Sequence, residues 1–309
     1  MSTLHFDGEQ RYRTVAEILS RLSVSPEAKV LDVGGGTGGL KDRLGLSSYH
    51  SLDLAGAGPG HIRASMEHLP FPDASFDAVL QVDALEHVPP SIRERSLEEI
   101  ARVSADVVLW LGPVENALVV EVEEDLCRAH EELFGGKTME WLSEHRDYGL
   151  SEIEFVVEKL SAGCQDTRIW FSCDLFGWWA LKRLDLLLEA GLYQPGLEEA
   201  LDRWYAASGW KRDYRVSETS QGYRMVFVGR KKGKLPENLS EPPPSSNNLD
   251  EWRSLLPLLE IVARPSGLSS EGAPLDTATS NQLERISNLL TAAPPNTDSF
   301  LKRMFGGAK

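Results

Sequence analysis

The stretch Val30-Leu31-Asp32-Val33-Gly34-Gly35-Gly36-Thr37-Gly38 constrains this chain more than any other. An apolar run ends in a carboxylate, a glycine turn follows, and a second run, Tyr49-His50-Ser51-Leu52-Asp53, closes on another carboxylate. Short apolar runs broken by a glycine turn predict parallel strands with a nucleotide-type pocket at their carboxyl edge. Gly34, Gly36 and Gly39 also satisfy G-x-G-x-x-G, so spacing alone leaves a dinucleotide open. Asp32 argues against it. A pyrophosphate is repelled by a carboxylate at the mouth of the turn, whereas ammonium and sulfonium groups are attracted. S-adenosylmethionine brings both cations and no phosphate. Its own carboxylate can meet backbone N–H groups near the helix expected around Leu40-Lys41-Asp42-Arg43-Leu44. Asp53 can accept both ribose hydroxyls of either nucleoside. A phosphate-binding P-loop is excluded, because no lysine stands at the required offset from Gly34 or Gly35.

Farther on the chain reads Ser65-Met66-Glu67-His68-Leu69-Pro70-Phe71-Pro72-Asp73-Ala74-Ser75-Phe76-Asp77, then Asp83-Ala84-Leu85-Glu86-His87-Val88. The order D-x-G-x-G-x-G, an acid after the second strand, L-P-F-P-D-x-S-F-D and L-E-H-V resembles class I S-adenosylmethionine-dependent methyltransferases of the type 11 methyltransferase-domain group. The resemblance resumes at Gly209-Trp210 and covers most of residues 8–232. It implies that Asp32, Gly34 and Gly36 line the methionine end of the cofactor and that Asp53 holds the ribose. It further implies that Ser65, Met66 and Glu67 border the adenine, with Asp83 in the same cofactor set. Many relatives carry Asp-Ala where this chain has Ser65-Met66, so a serine would accept the adenine amino group more weakly. Met66 would offer a polarisable contact to the ring face.

The pattern predicts an α/β fold: a doubly wound, mostly parallel, Rossmann-like sheet. Strands are expected near 28–33, 49–53, 61–64, 77–82 and 106–112, with helices near 38–45 and 90–103. A first helix over Glu9–Leu22 is expected to pack over the cofactor cleft. Relatives often read L-K-P-G-G before strand five; here Ser104-Ala105-Asp106 leads straight into the strand, which implies a tighter turn. A terminal antiparallel hairpin is expected from Tyr214-Arg215-Val216-Ser217 and Tyr223–Val228, turned at Ser220-Gln221-Gly222. Between strand five and that hairpin, residues of about 113–194 form an insertion of roughly eighty residues, far more than one connecting helix needs. It holds Trp141, Trp170, Trp178 and Trp179, four of the eight tryptophans, expected either to line an acceptor site or to form a local core. Residues 1–232 are thus expected as the methyltransferase domain. Residues 233–309, with nine of seventeen prolines, are expected as a linker and a partly irregular tail whose short amphipathic segments contact the domain, a partner or a further domain.

A formal charge of −15 disfavours nucleic acid as a partner, and Arg230-Lys231-Lys232 is expected to be a solvated run. Three cysteines without metal-type spacing are expected as free thiols. No signal pattern or membrane-length apolar run is found, so a cytoplasmic protein is expected. No metal is expected: Asp83, Glu86 and Glu115-Asn116 could mimic a catechol-type site, but in so acidic a chain they read as solvated acids.

For the acceptor, a small molecule or glycan, His87 and His130 are the candidate bases, with His145 a third. His87 follows strand four, where this fold approaches the transferred methyl. His130 sits in the insertion, where an acceptor-specific base belongs. The phrase around His145 resembles methyltransferases that accompany glycosyltransferases in surface-polysaccharide assembly, which implies a sugar hydroxyl. A natural-product alcohol or phenol is the alternative acceptor, and a non-catalytic cofactor-binding scaffold is the alternative class.

Overall fold

The computed structural model describes residues 6–36, 38–190, 210–216 and 222–243. Five parallel strands come first: β1 (Lys29–Val33), β2 (Ser48–Asp53), β3 (His61–Arg63), β4 (Phe76–Val82) and β5 (Ser104–Gly112). With β6 (Asp166–Asp174) and β7 (Gly222–Arg230) they form a seven-stranded sheet in the order β3-β2-β1-β4-β5-β7-β6. The chain leaves β1 for β2 on one side and returns to β4 on the other. That reversal opens a crevice at the carboxyl end of β1, where ligands bind in open α/β sheets.

Central strands alternate between two buried faces. Val30, Ala78, Leu80, Leu109 and Leu111 face one core with Val15 and Ile18 of α1 (Phe6–Arg21) and Leu22 just after it. Leu31, Val79, Val108 and Trp110 face the other with Leu97 and Ile100 of α3 (Pro90–Val103) and Val156 and Leu160 of α6 (Ile153–Ser161). Burial on both sides explains why these strands read as continuous apolar runs. α3 opens with proline at its first position, where a missing N–H costs nothing, and runs into β5 without an intervening loop. α2 (Lys41–Leu44) is a single turn closed by Gly45 in the left-handed region, shorter than expected.

The antiparallel pair expected at the sheet edge is present, but its partner strand is a correction. β7 pairs antiparallel with β5 on one side and β6 on the other, and β6 comes from inside the insertion. Residues 210–213 form a short helix instead, and Tyr214 buries its ring beside Trp170, whose indole N–H donates to the Tyr214 carbonyl at 2.9 Å. β7 covers the open edge of β5, and β6, which buries Trp170 and Phe171, covers the other edge of β7; the expected turn at residues 220–221 lies outside the described residues. The insertion therefore contributes to the sheet as well as adding α4 (Ala117–Leu133), α5 (Glu140–Tyr148), α6 and α7 (Leu175–Glu189).

Two further expectations change. Arg230 pairs with Asp106 at 3.1 Å, and Lys231 donates to the carbonyls of Ala101 and Ser104 at 2.6 and 3.0 Å, so this basic run ties β7 to the end of α3. Residues 233–243 pack back rather than leaving as a linker: Leu235 and Leu239 are buried, and Arg21 and Arg168 donate to the carbonyls of Asn238 and Glu237. The amphipathic segments expected at 249–262 and 281–290 lie outside the described residues. The three cysteines are free, and only Cys173 is fully buried. Among the described residues no helix is long and apolar enough to cross a membrane.

Candidate active site

The glycine turn leaves β1 at the crevice. Gly34 lies in the left-handed region (φ 79°) and donates to the Leu52 carbonyl at 2.7 Å, locking the turn to β2. A Cβ there would lie 2.3 Å from the Cβ of Ala84. Gly34→Ala is therefore expected to cost about 3 kcal/mol, overpacking added to left-handed strain, measured by urea unfolding. A cost below about 1 kcal/mol would mean the turn is not packed this tightly.

Asp32 is 3% exposed, below the turn. Its Oδ2 accepts from the Tyr49 hydroxyl, while Oδ1 is buried with no hydrogen-bond partner. Burial pushes this carboxyl up to about 6, against the lowering effects of the Tyr49 bond and the Arg11 charge. Asp53, at the end of β2, accepts from the Gly36 N–H at 3.2 Å and the Ala55 N–H at 3.3 Å. A Cβ on Gly36 would meet nothing within 4 Å, so the space over the turn is open. Met66 reaches the same turn: its Cε lies 3.7 Å from where a Gly34 Cβ would be, and its sulfur accepts from Gln81 at 3.5 Å. Ser65 donates to Glu67 at 3.5 Å. One unsatisfied buried carboxylate oxygen, an open glycine floor and a second carboxylate on the neighbouring strand fit a ligand that carries both a cation and a diol. S-adenosylmethionine has both.

Asp83 departs from its expected place in the cofactor set. Held at φ 45° after β4, it accepts from Arg224 through both oxygens (2.9, 2.9 and 2.6 Å) and from Arg11 at 2.7 Å. Its acceptor capacity is committed to these guanidinium groups, which join α1, β4 and β7. Arg224 is 1% exposed and also donates to Asp7 at 2.7 Å. Burial alone would raise Asp7, but Arg224, Lys182 and Arg11 hold it well below the usual carboxylate range. Asp83 and Glu86, expected as solvated acids, are both buried.

A second cluster sits over the carboxyl ends of β4 and β5. The turn Leu85–His87 packs against α5, and Arg93 clamps the two by donating to the carbonyls of Glu86 (3.4 Å), Val88 (3.0 Å) and Gly149 (2.7 Å). The clamp brings Glu86, His87 and His145 together, with one ligand-type atom from each inside 4.8 Å of the others. His87 Nδ1 pairs with Glu144 at 2.8 Å and His145 Nδ1 with Glu123 at 2.9 Å. Tyr223 donates to the same Glu123 oxygen at 2.7 Å and stacks on Trp178 at 3.6 Å between ring centroids. Burial, with the Asp83 charge, pushes Glu86 up to about 8. Burial and the neighbouring His145 lower His87. Burial opposes charge on His145 too, but Glu123, Glu86 and Asp83 outweigh it and the group is raised. Trp141 lies edge-on to His145 at 5.5 Å, whereas Trp170, Trp178 and Trp179 are buried in the core.

His130 is not in this cluster. It ends α4, with Nδ1 on the Lys137 carbonyl at 2.8 Å and its ring against Phe134. Reasoning from sequence also passed over Tyr49, Arg224, Glu123 and Tyr223. Arg224 had a readable signal: a charge inside the apolar strand Tyr223–Val228 must be buried with acids.

Residues 31–106 match the family described as "Methyltransferase domain". A curated relative, the glycine/sarcosine/dimethylglycine N-methyltransferase of Actinopolyspora halophila, is 28% identical over 166 residues, which cover 46% of this chain and 29% of the relative. The chain thus spans less than a third of that relative's length. Among solved structures, a methyltransferase of Thermotoga maritima described as a possible histamine N-methyltransferase is 16% identical with a TM-score of 0.42, covering 72% of this chain and 91% of its own. The magnesium protoporphyrin IX methyltransferase of Synechocystis, with bound S-adenosylhomocysteine, is 11% identical with a TM-score of 0.43, covering 75% and 90%. Over residues 31–106 the chain is thus similar to methyltransferase domains, whose cofactor is S-adenosylmethionine.

Proposed function

We propose that this chain is an O-methyltransferase that moves a methyl group from S-adenosylmethionine to a hydroxyl of a small acceptor, a sugar of a glycan or glycan precursor. The observation that carries the donor half is the unpartnered oxygen of buried Asp32 beneath an open glycine turn. In this reading Asp32 holds the donor's cationic end, Gly34 and Gly36 let the backbone approach it, and Asp53 accepts from the ribose hydroxyls. Ser65, Met66 and Glu67 border the adenine. When bound, the donor supplies a methyl group on a good leaving group, so the protein's work is alignment, exclusion of water and handling of the acceptor proton.

The acceptor side is assigned to Glu86, His87 and His145, with Trp141 as an apolar wall. An imidazole whose Nδ1 is fixed on a carboxylate presents Nε2 for chemistry, and both histidines are held this way. His87, with 30% of its side chain exposed, is the one an incoming hydroxyl reaches. The sugar rests on the resemblance of the segment around His145. The methyltransferase unit is taken as residues 1–232, with the insertion at about 113–194 building the acceptor side.

A second reading, transfer to an amine nitrogen, is favoured by the N-methyltransferase named in the curated relative. A neutral amine needs orientation but no base. Labelled donor, supplied with a panel of sugars, lipid-linked sugars, phenols and small amines, separates the two. The O-methyl reading expects label on a sugar hydroxyl and turnover at least about tenfold lower in His87→Ala, within the range for acid–base groups. Label on nitrogen, with His87→Ala unimpaired, favours the amine.

A further inference from the structure

We propose that Glu86, His87 and His145 bind a divalent transition ion, zinc foremost, whose open coordination position takes the acceptor oxygen. The binding claim stands on the cluster itself; the ion's part in the reaction rests on the hydroxyl reading above.

Three observations carry it. The carboxylate oxygen and the two imidazole nitrogens converge within 4.8 Å of one another. Glu86 Oε2 and His145 Nε2 are buried with no hydrogen-bond partner. Each histidine holds a carboxylate on its far nitrogen, Glu144 on His87 and Glu123 on His145, the arrangement that orients metal-binding imidazoles. An ion bonded to these two buried atoms would satisfy both.

The donor set selects the ion. Two nitrogens and one carboxylate disfavour magnesium and calcium, which demand oxygen, and match zinc sites that keep a fourth position open. Zinc bonds near 2.1 Å put tetrahedral donors roughly 3.4 Å apart, so the cluster must close by about an ångström. His87 can supply that movement because its side chain is 30% exposed, which also gives the ion its path from solvent. A Cβ on Gly112 would lie 3.5 Å from Glu86 Oε2, placing the cluster over the end of β5, on the sheet edge that carries the glycine turn. There the ion would bond the acceptor hydroxyl oxygen, the O–H bond would break, and the proton would pass to solvent. His87 then serves as a ligand.

The test uses the full chain stripped by a chelator, titrated with Zn²⁺ against a chromophoric competitor and with Co²⁺ by visible absorption. The expected result is one equivalent per chain and a low-symmetry cobalt spectrum. His87→Ala should abolish both, and Glu144→Gln, which leaves all three ligands, should weaken binding by about 10–100-fold. Thermal unfolding without metal checks that each variant is folded. Equal uptake by wild type and His87→Ala, or no cobalt spectrum, would overturn the site and leave a water-bridged polar pocket. Donor titration on the same samples separates the two proposals. Zinc uptake without donor binding sinks the transferase reading alone, and donor binding without zinc uptake sinks the ion site alone.

Discussion

Asp32→Asn should make the protein more stable and nearly unable to bind its donor. Burial raises the Asp32 carboxyl from 3.8 to about 6. The folded state therefore keeps a proton that the unfolded chain releases at lower pH. Stability from this group is fully present below about pH 4, falls as pH rises through 6, and stays lower by about 3 kcal/mol above it. Asparagine is neutral and can still accept from Tyr49, so at pH 8 the variant should recover much of that difference as a higher unfolding midpoint. The donor's cation then loses its buried partner, and affinity should fall on the order of 100-fold, the scale for truncating one side of a buried charge pair. Wild-type affinity should weaken as pH drops through 6, while the variant stays flat. Unfolding and donor titrations at pH 5 and 8 check all three. A variant that binds donor like wild type would remove Asp32 from the site.

Arg224→Ala should be among the most damaging substitutions in the described fold. It strips a fully buried guanidinium from the largely buried Asp83 and Asp7, and a broken buried pair costs about 3–5 kcal/mol. Arg11 pairs with the same Asp83 but leaves 29% of its side chain in solvent, so Arg11→Ala should cost much less. The double variant Arg224→Met with Asp83→Asn should recover part of the loss, giving a coupling energy of about 2 kcal/mol in a double-mutant cycle of urea midpoints. Independent, additive losses would mean the ion cluster is not one unit.

The parallel half of the sheet was legible because its strands are buried on both faces and so appear as apolar runs between turns. Asp32, the glycines and Asp53 were legible for a related reason: they fall within about twenty positions of one another, in a local strand-turn pattern. What escaped is non-local. β7 pairs with Asp166–Asp174, far back in the chain, because that strand covers its outer edge while burying Trp170 and Phe171, and no turn residue signals that. Arg224 meets acids 141 and 217 positions away, and His145 meets Glu123 on another helix, 22 residues back. His130 drew attention by lying in the insertion, but the end of α4 turns it toward Lys137 instead.

Calorimetric titration of S-adenosylmethionine, and of S-adenosylhomocysteine, into the full chain at pH 8 decides whether the glycine turn holds a methyl donor. Saturable binding of one donor per chain is expected, lost or greatly weakened in Asp32→Asn and Asp53→Ala. No heat with either ligand, from protein whose thermal unfolding shows it to be folded, would contradict it.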